Sequence, residues 1–196
     1  MNKQQKIERL KRITDESMIL RRSLISEISD EIAVLSDLFA GVFGSGGKIL
    51  IAGNGEQGSL ASHFAAELVL GSKTGRSRQP LPALALSSDA TVVSAATNDL
   101  GLKETFVRQI EGLGHKNDLL LLLSEDGEEA NLIRAAQVAR ERNIITFAII
   151  GHNGGRLKFS VDRPLVIPHN SPQRVFEEQS FILHLLTELV ESDLIV

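Results

Sequence analysis

Residues 48–68, KILIAGNGEQGSLASHFAAEL, decide the fold, because a hydrophobic run, a glycine turn and a helical pattern follow one another without a gap. The run at 48–52 is typical of a buried strand, and Gly53 and Gly55 permit a tight turn. Apolar residues then recur at helical spacing up to residue 68. A strand that turns directly into a helix leaves unpaired backbone N–H groups and the positive end of the helix dipole beside a crevice, which favours an anionic ligand.

The composition indicates a globular protein. At 196 residues, of which 42% are hydrophobic, the chain can form one domain with a substantial core. A net charge of −4 offers no basic surface to a nucleic acid. No apolar run reaches the ~20 residues of a membrane span, and the charged start lacks a signal-peptide core, so we expect no membrane contact and a cytoplasmic location. The absence of cysteine excludes disulfides and thiolate metal sites.

Helical and strand patterns divide the chain into three parts. Residues 1–45 predict two helices, the second capped by Ser29 and Asp30. Within 46–170, five short apolar runs occur at 48–53, 81–87, 118–124, 144–151 and 164–168, with helical segments between most of them. They predict an α/β fold, a three-layer α/β/α sandwich with a five-stranded parallel sheet, in a single domain spanning 1–196. A last helix over 171–196 and the first helices carry surplus apolar surface, which predicts a homo-oligomer.

Several strings, taken together and in this order, resemble the phosphoheptose isomerase branch of the sugar isomerase (SIS) domain family. They are GNG at 53–55, HFAAEL at 63–68, RQPLPALAL at 78–86, TND at 97–99, GLGH at 112–115 and the glycines of 151–155. The resemblance covers nearly the whole chain. It implies a tetramer with its terminal helices in a central bundle, active sites shared between subunits, and interconversion of sedoheptulose 7-phosphate and a heptose 7-phosphate.

The resemblance also implies a carboxylate and an imidazole for proton transfer, often beside zinc. Glu67 matches the family's glutamate base. His63 lies four residues earlier on the same helical face, so both are candidate catalytic and metal-binding residues. From spacing alone, a solvent-facing pair at a helix surface is equally consistent.

The last helix departs from the family's Arg-x-Gln-Glu-x-His string. Arg174 is kept, but Phe176 stands at the glutamine and Gln179 at the histidine. Because Gln179 cannot exchange a proton near neutral pH, the second acid/base group is predicted to be missing there, and zinc would lose two ligands. His184 is interpreted as a packing or interface residue.

The phosphate-binding loops depart as well. The family's GNGGS and STSGNS become GNGEQ and SEDGEE, which brings five carboxylates into the two loops. A carboxylate about 4 Å from a phosphate charge costs on the order of 1 to 4 kcal/mol. The acids either offset the helix dipole and fill the anion site themselves, or form a new cation site. The candidate ligand-binding residues are Asn54, Gly55, Glu56, Gln57, Asp99, Ser124, Glu125, Asp126, Glu129 and Arg174. A basic loop with Lys73, Arg76 and Arg78 is solvated or meets an acidic ligand.

Three functions remain open. The favoured one is a catalytically inactive or divergent paralogue that binds a carbohydrate derivative, a protein partner or an active paralogue. The alternative is an active aldose–ketose isomerase on sedoheptulose 7-phosphate or a related or unphosphorylated sugar, with Glu67 as base and His63 or His169 as the second group. The third is a sensor of divalent cations built on the acidic loops.

Overall fold

The computed structural model describes residues 1–71 and 78–194. Five strands form one parallel sheet in the order β2-β1-β3-β4-β5. The strands are β1 (Ile49–Gly53), β2 (Ala83–Ala85), β3 (Leu119–Ser124), β4 (Ile145–Ile150) and β5 (Arg163–Val166). The helices are α1 (Lys3–Gly44), α2 (Gly55–Leu70), α3 (Ala90–Leu100), α4 (Val107–Leu113), α5 (Ala130–Glu141) and α6 (Pro172–Leu194), with short 3-10 turns at Leu102–Glu104 and Leu157–Phe159.

Helices cover both faces of the sheet, because alternate residues of each central strand point to opposite sides. In β3, Leu119, Leu121 and Leu123 join a core with α1, α2 and α6, whereas Leu120 and Leu122 join a second core with α4 and α5. A strand buried on both faces needs a continuous apolar run. The predicted three-layer architecture is confirmed.

The N-terminal region forms one helix of 42 residues instead of the two expected. Apolar positions continue at helical spacing straight through the expected break, from Leu24 and Ile28 to Ile32 and Leu35, and all are buried against the sheet. Ser29 donates its hydroxyl to the Ile25 carbonyl within the helix and does not cap a new one. Ser and Asp are tolerated on an exposed helical face. Because no helix-breaking residue accompanies Ser29 and Asp30, the helix continues through them.

An ion pair with a buried carboxylate and a partly exposed guanidinium joins α1 to α6. The Arg21 guanidinium donates to both carboxylate oxygens of Glu178, at 2.9 Å from Nη2 to Oε1 and 3.1 Å from Nε to Oε2. The Glu178 side chain is fully buried, and the Arg21 guanidinium lies 4.2 Å from the centre of the Phe181 ring. The pair fixes the register of the two helices.

Among the described helices, none has the length and hydropathy to span a bilayer.

Replacing Arg21 with methionine would leave the Glu178 carboxylate buried without its partner. We expect Arg21→Met to lower the free energy of unfolding by about 3 kcal/mol, measured by urea denaturation. The double variant Arg21→Met, Glu178→Leu removes both charges and should recover most of the loss. A single variant as stable as the parent would contradict this role for the pair.

Candidate functional site

The corner between β1 and α2 lies where the strand order reverses. From β1 the chain passes to β2 on one side, and β3 pairs on the other side of β1. In open parallel sheets, ligands bind at such switch points, at the carboxyl ends of the strands. A Cβ on Gly53 would lie 2.7 Å from the Gln57 backbone, and Gly55 has a φ of +51°. Glycine is therefore required at this corner.

The chain's own side chains span the crevice between β1 and β3. Asn54 and Asn131 exchange amide hydrogen bonds of 2.9 and 2.8 Å, which join the N-terminal ends of α2 and α5. The crevice is thus partly closed by a neutral amide pair.

The loop after β3 holds a carboxylate in its hydrogen-bonding cradle. Glu129 accepts the Ser124 hydroxyl, and its other carboxylate oxygen accepts the Glu125 backbone N–H at 3.1 Å. The Ser124 Oγ accepts the Gly127 N–H at 2.7 Å. These donors form the kind of polar nest that receives an anion, and here the anion belongs to the chain.

Two other acids of this loop have local partners. The Asp126 carboxylate accepts the Glu128 N–H at 2.9 Å, and Glu128 pairs with Arg156 at 2.6 Å. Within residues 1–71 and 78–194, this loop forms no cluster of three metal-ligating groups. The cation-sensor hypothesis therefore gains no support from the loop.

An open cavity of about 550 Å³ lies beside the same corner. Its described lining is uncharged and rich in hydroxyl groups: Gly53, Asn54, Gly55, Gly58, Ser59, Ser62, Ser87, Ser88, Val93 and Phe106. The four serine hydroxyls donate to backbone carbonyls, which leaves their oxygen atoms able to accept further bonds.

A second group of polar side chains lies further along α2, at the place where this helix packs on α6. Glu67 Oε1 is 3.6 Å from His63 Nε2 and 3.7 Å from His184 Nε2, and the two Nε2 atoms are 3.2 Å apart. The Glu67 side chain is 23% exposed, while the His63 and His184 side chains are 51% and 47% exposed. A carboxylate and two imidazoles therefore meet at a place that a ligand can reach.

Neighbouring residues hold Glu67 in this position. The Thr187 hydroxyl donates to Glu67 Oε2 at 3.2 Å, which leaves Oε1 to face the imidazoles. Arg78 donates to the backbone carbonyls of Glu67 and Leu68 at 3.0 and 2.8 Å, and pairs with Glu191 of α6 at 2.9 Å. Arg78 thus ties the end of α2 to α6.

Lys73 and Arg76, the other cations expected in the basic loop, lie outside the described residues. Their relation to an acidic ligand therefore stays a prediction.

His184, and not Gln179, supplies the imidazole beside Glu67. Gln179 is fully buried, and its amide donates to the carbonyls of Ser124 at 2.8 Å and Ile149 at 3.0 Å. It therefore bridges the ends of β3 and β4. The interpretation of His184 as a packing residue is wrong, because its side chain is 47% exposed beside Glu67, and an interface role stays a prediction. As predicted, Gln179 offers no acid/base group at its own position.

No helical signal in the sequence identifies His184. It lies about 80° around the helix from Phe176, eight residues earlier, and about 140° from Gln179, five residues earlier. The family string aligns Gln179, and not His184, with the histidine.

The remaining candidates make other contacts. Asp99 is exposed near the end of α3 and accepts the Asn98 amide at 2.6 Å. Arg174 pairs with Glu177 at 2.5 Å. Glu56 is exposed in the first turn of α2, whereas Gln57 is buried there.

His169 lies in the loop after β5, where its Nδ1 accepts the Ser171 N–H at 3.0 Å. Among the described residues, no hydrogen bond or ion pair links His169 to Glu67, so His169 is not grouped with the two imidazoles.

The three-residue group has the donors of a zinc site. The His63, Glu67 and His184 ligand atoms all lie within 4.8 Å of one another. Bonds of about 2.0 to 2.2 Å to a tetrahedral ion place its ligand atoms roughly 3.3 to 3.6 Å apart. The three separations found here are 3.2, 3.6 and 3.7 Å, so the residues fit such an ion with little movement. Two imidazoles and one glutamate with an open fourth position are typical of catalytic zinc.

Comparison with known proteins assigns the chain to a family. The family model for the SIS domain matches residues 14–151. The chain therefore belongs to the SIS domain family.

Within that family, the chain is similar to phosphoheptose isomerases. It is 40% identical over 174 residues to the phosphoheptose isomerase of Chlorobaculum parvum, a match that covers 88% of this chain and 83% of that protein. The phosphoheptose isomerase of Geotalea daltonii is 35% identical over 188 residues, with 96% and 97% covered.

A solved structure supports the same placement. The phosphoheptose isomerase of Neisseria gonorrhoeae superposes with a TM-score of 0.88 at 29% identity, over 94% of this chain and 98% of that one.

The geometry leads us to expect a single divalent ion per chain at His63, Glu67 and His184. Titration with cobalt(II), followed by visible absorption, should show saturable binding that zinc displaces. His184→Ala should abolish it, whereas His115→Ala, which alters an exposed histidine before β3, should not. Equal binding by the parent and His184→Ala would contradict the site.

Proposed function

We propose that this chain is an active aldose–ketose isomerase for an open-chain sugar, with Glu67 as the base. The observation that carries the proposal is the approach of Glu67 Oε1 to His63 Nε2 and His184 Nε2, at 3.6 and 3.7 Å. The inactive interpretation depended on the loss of an imidazole at Gln179 together with the loss of hydroxyls from the phosphate loops. Because His184 provides one, the chemistry for proton transfer is present.

Isomerisation requires a base for the proton on the carbon beside the carbonyl and a group that stabilises the resulting enediol oxygen. Glu67 Oε1 takes that proton and returns it to the neighbouring carbon. Thr187 holds the second carboxylate oxygen, so the accepting oxygen keeps one orientation. Imidazole N–H groups of His63 and His184 donate to the oxygen that gains negative charge.

A zinc ion held by the same three residues would supply Lewis-acid stabilisation of the enediol oxygen in place of the imidazole N–H groups, because the two Nε2 atoms would then be its ligands. The Glu67 carboxylate oxygen that does not bind the ion would then serve as the base. The departure from the family at Phe176 leaves that donor set with two nitrogens and one oxygen, which is sufficient for a catalytic ion with an open position.

A second candidate function is a non-catalytic subunit that binds a carbohydrate derivative or assembles with an active paralogue. The filled cradle around Glu129 favours it, because a sugar phosphate would compete with that carboxylate. On this proposal the crevice at the β1–α2 corner and the polar group formed by His63, Glu67 and His184 serve binding alone.

The assembly we propose is a homotetramer. The first half of α1 extends beyond the buried core and exposes apolar side chains, among them Leu10 at 64% and Ile19 at 69%. A second copy of the chain would bury this surface.

Replacing the base separates the two functions. We expect Glu67→Gln to lower turnover by about 10² to 10⁴-fold, since the amide cannot accept the proton. Turnover would be measured with sedoheptulose 7-phosphate and with sedoheptulose, each with and without zinc. Glu188→Gln, an exposed charge change on α6, is the matched control and should leave the rate unchanged. Absence of turnover of both sugars by the parent would favour the non-catalytic subunit.

A further inference from the structure

The cradle after β3 already contains an anion. The Ser124 hydroxyl, which is fully buried, and the Glu125 N–H both donate to the Glu129 carboxylate, with the amide bond at 3.1 Å. The Gly127 N–H donates to Ser124 Oγ at 2.7 Å and so fixes the direction of the hydroxyl. Phosphate oxygens would need the same hydroxyl and amide donors. A phosphate could bind only if Glu129 left them.

The charges around the cradle oppose a second anion. Glu125 and Asp126 are only partly exposed and lie in the same loop. Arg156, the cation bonded to this loop, is already paired with Glu128 at 2.6 Å. A phosphate of charge near −2 would therefore meet like charges that solvent screens incompletely.

The cavity beside the β1–α2 corner is lined by groups of a different chemical character. The cavity of about 550 Å³ is lined by described residues that are uncharged, four of them serines. Ser59 and Ser62 lie on α2, one turn before and directly before His63. Hydroxyl and amide groups exchange hydrogen bonds with the hydroxyls of a neutral sugar without requiring a charge.

We propose that Glu129 is a specificity-determining residue that takes the place of a substrate phosphate, so that the site accepts a neutral polyhydroxy sugar. The proposal rests on the isomerase function proposed above and names its substrate class. The sugar hydroxyls bind in the serine-lined cavity, and its carbonyl end extends along α2 toward His63 and Glu67. Glu129 keeps the cradle ordered and excludes phosphorylated competitors.

The first test measures phosphate binding and needs no turnover. Inorganic phosphate would be titrated by calorimetry into the parent, Glu129→Ser and Glu128→Gln. Glu129→Ser empties the cradle and should bind phosphate at least about tenfold more tightly than the parent. Glu128→Gln removes an equal charge from the same loop and frees Arg156, but it leaves Glu129 on the cradle donors, so it should gain much less phosphate affinity than Glu129→Ser.

Glu129→Gln gives a second variant that keeps an acceptor for the Ser124 hydroxyl. Glu129→Gln should show a smaller gain in phosphate affinity than Glu129→Ser. Thermal melting would confirm that each variant folds. Phosphate binding by the parent as tight as by Glu129→Ser, or no gain in either Glu129 variant, would overturn the proposal.

The second test compares sugars. The parent should isomerise sedoheptulose in preference to sedoheptulose 7-phosphate, and Glu129→Ser should reverse the preference by lowering KM for the phosphate ester. Preference of the parent for the ester would overturn the substrate class while leaving the isomerase function intact. Loss of turnover of both sugars would instead refute the isomerase, and the calorimetric result would still decide the role of Glu129.

Discussion

The tight turn between β1 and α2 is the constraint on which the rest of the site depends. The chain reverses within Gly53, Asn54 and Gly55, where a Cβ on Gly53 would collide with the Gln57 backbone. This turn sets the direction in which α2 leaves the sheet. As a result α2 packs on the sheet beside α6, and places Glu67 against Thr187 and His184. One backbone feature thus positions both the crevice and the acid/base group.

The polar group on α2 and α6 and the loop after β3 differ from the family pattern in different ways. On α2 and α6, a carboxylate and two imidazoles lie within hydrogen-bonding or ion-pairing distance, and we propose that this group transfers protons. The anion cradle keeps its backbone shape, but Glu129 occupies it. Since the two regions belong to different loops and helices, one can diverge while the other is preserved. On the proposed function, a change of substrate accounts for both observations.

The sequence predicts the sheet well and the site only in part. The uninterrupted run Leu119–Leu123 can be buried on both faces only in the centre of a parallel sheet, so its pattern is decisive. The single helix α1 escaped prediction because Ser29 and Asp30 resemble a cap, although nothing there breaks the helix.

His184 escaped prediction for another reason. Its role depends on how α6 packs against α2, and this contact joins residues more than a hundred positions apart. Local spacing could identify His63 beside Glu67, but tertiary packing was needed to show which residue of α6 meets them. For the loop after β3, the charge pattern predicted that an acid could fill the anion site, and the loop conformation shows that this acid is Glu129.

The most direct test of the retained proton-transfer chemistry is hydrogen exchange at the reacting carbon. The parent would be incubated in D₂O with sedoheptulose and, separately, with sedoheptulose 7-phosphate, and deuterium at the carbon beside the carbonyl would be followed by NMR. We expect incorporation with the parent and none above the uncatalysed rate with Glu67→Gln. Incorporation that is equal in the two proteins, or absent with both sugars, would contradict the assignment of Glu67 and His184 to proton transfer.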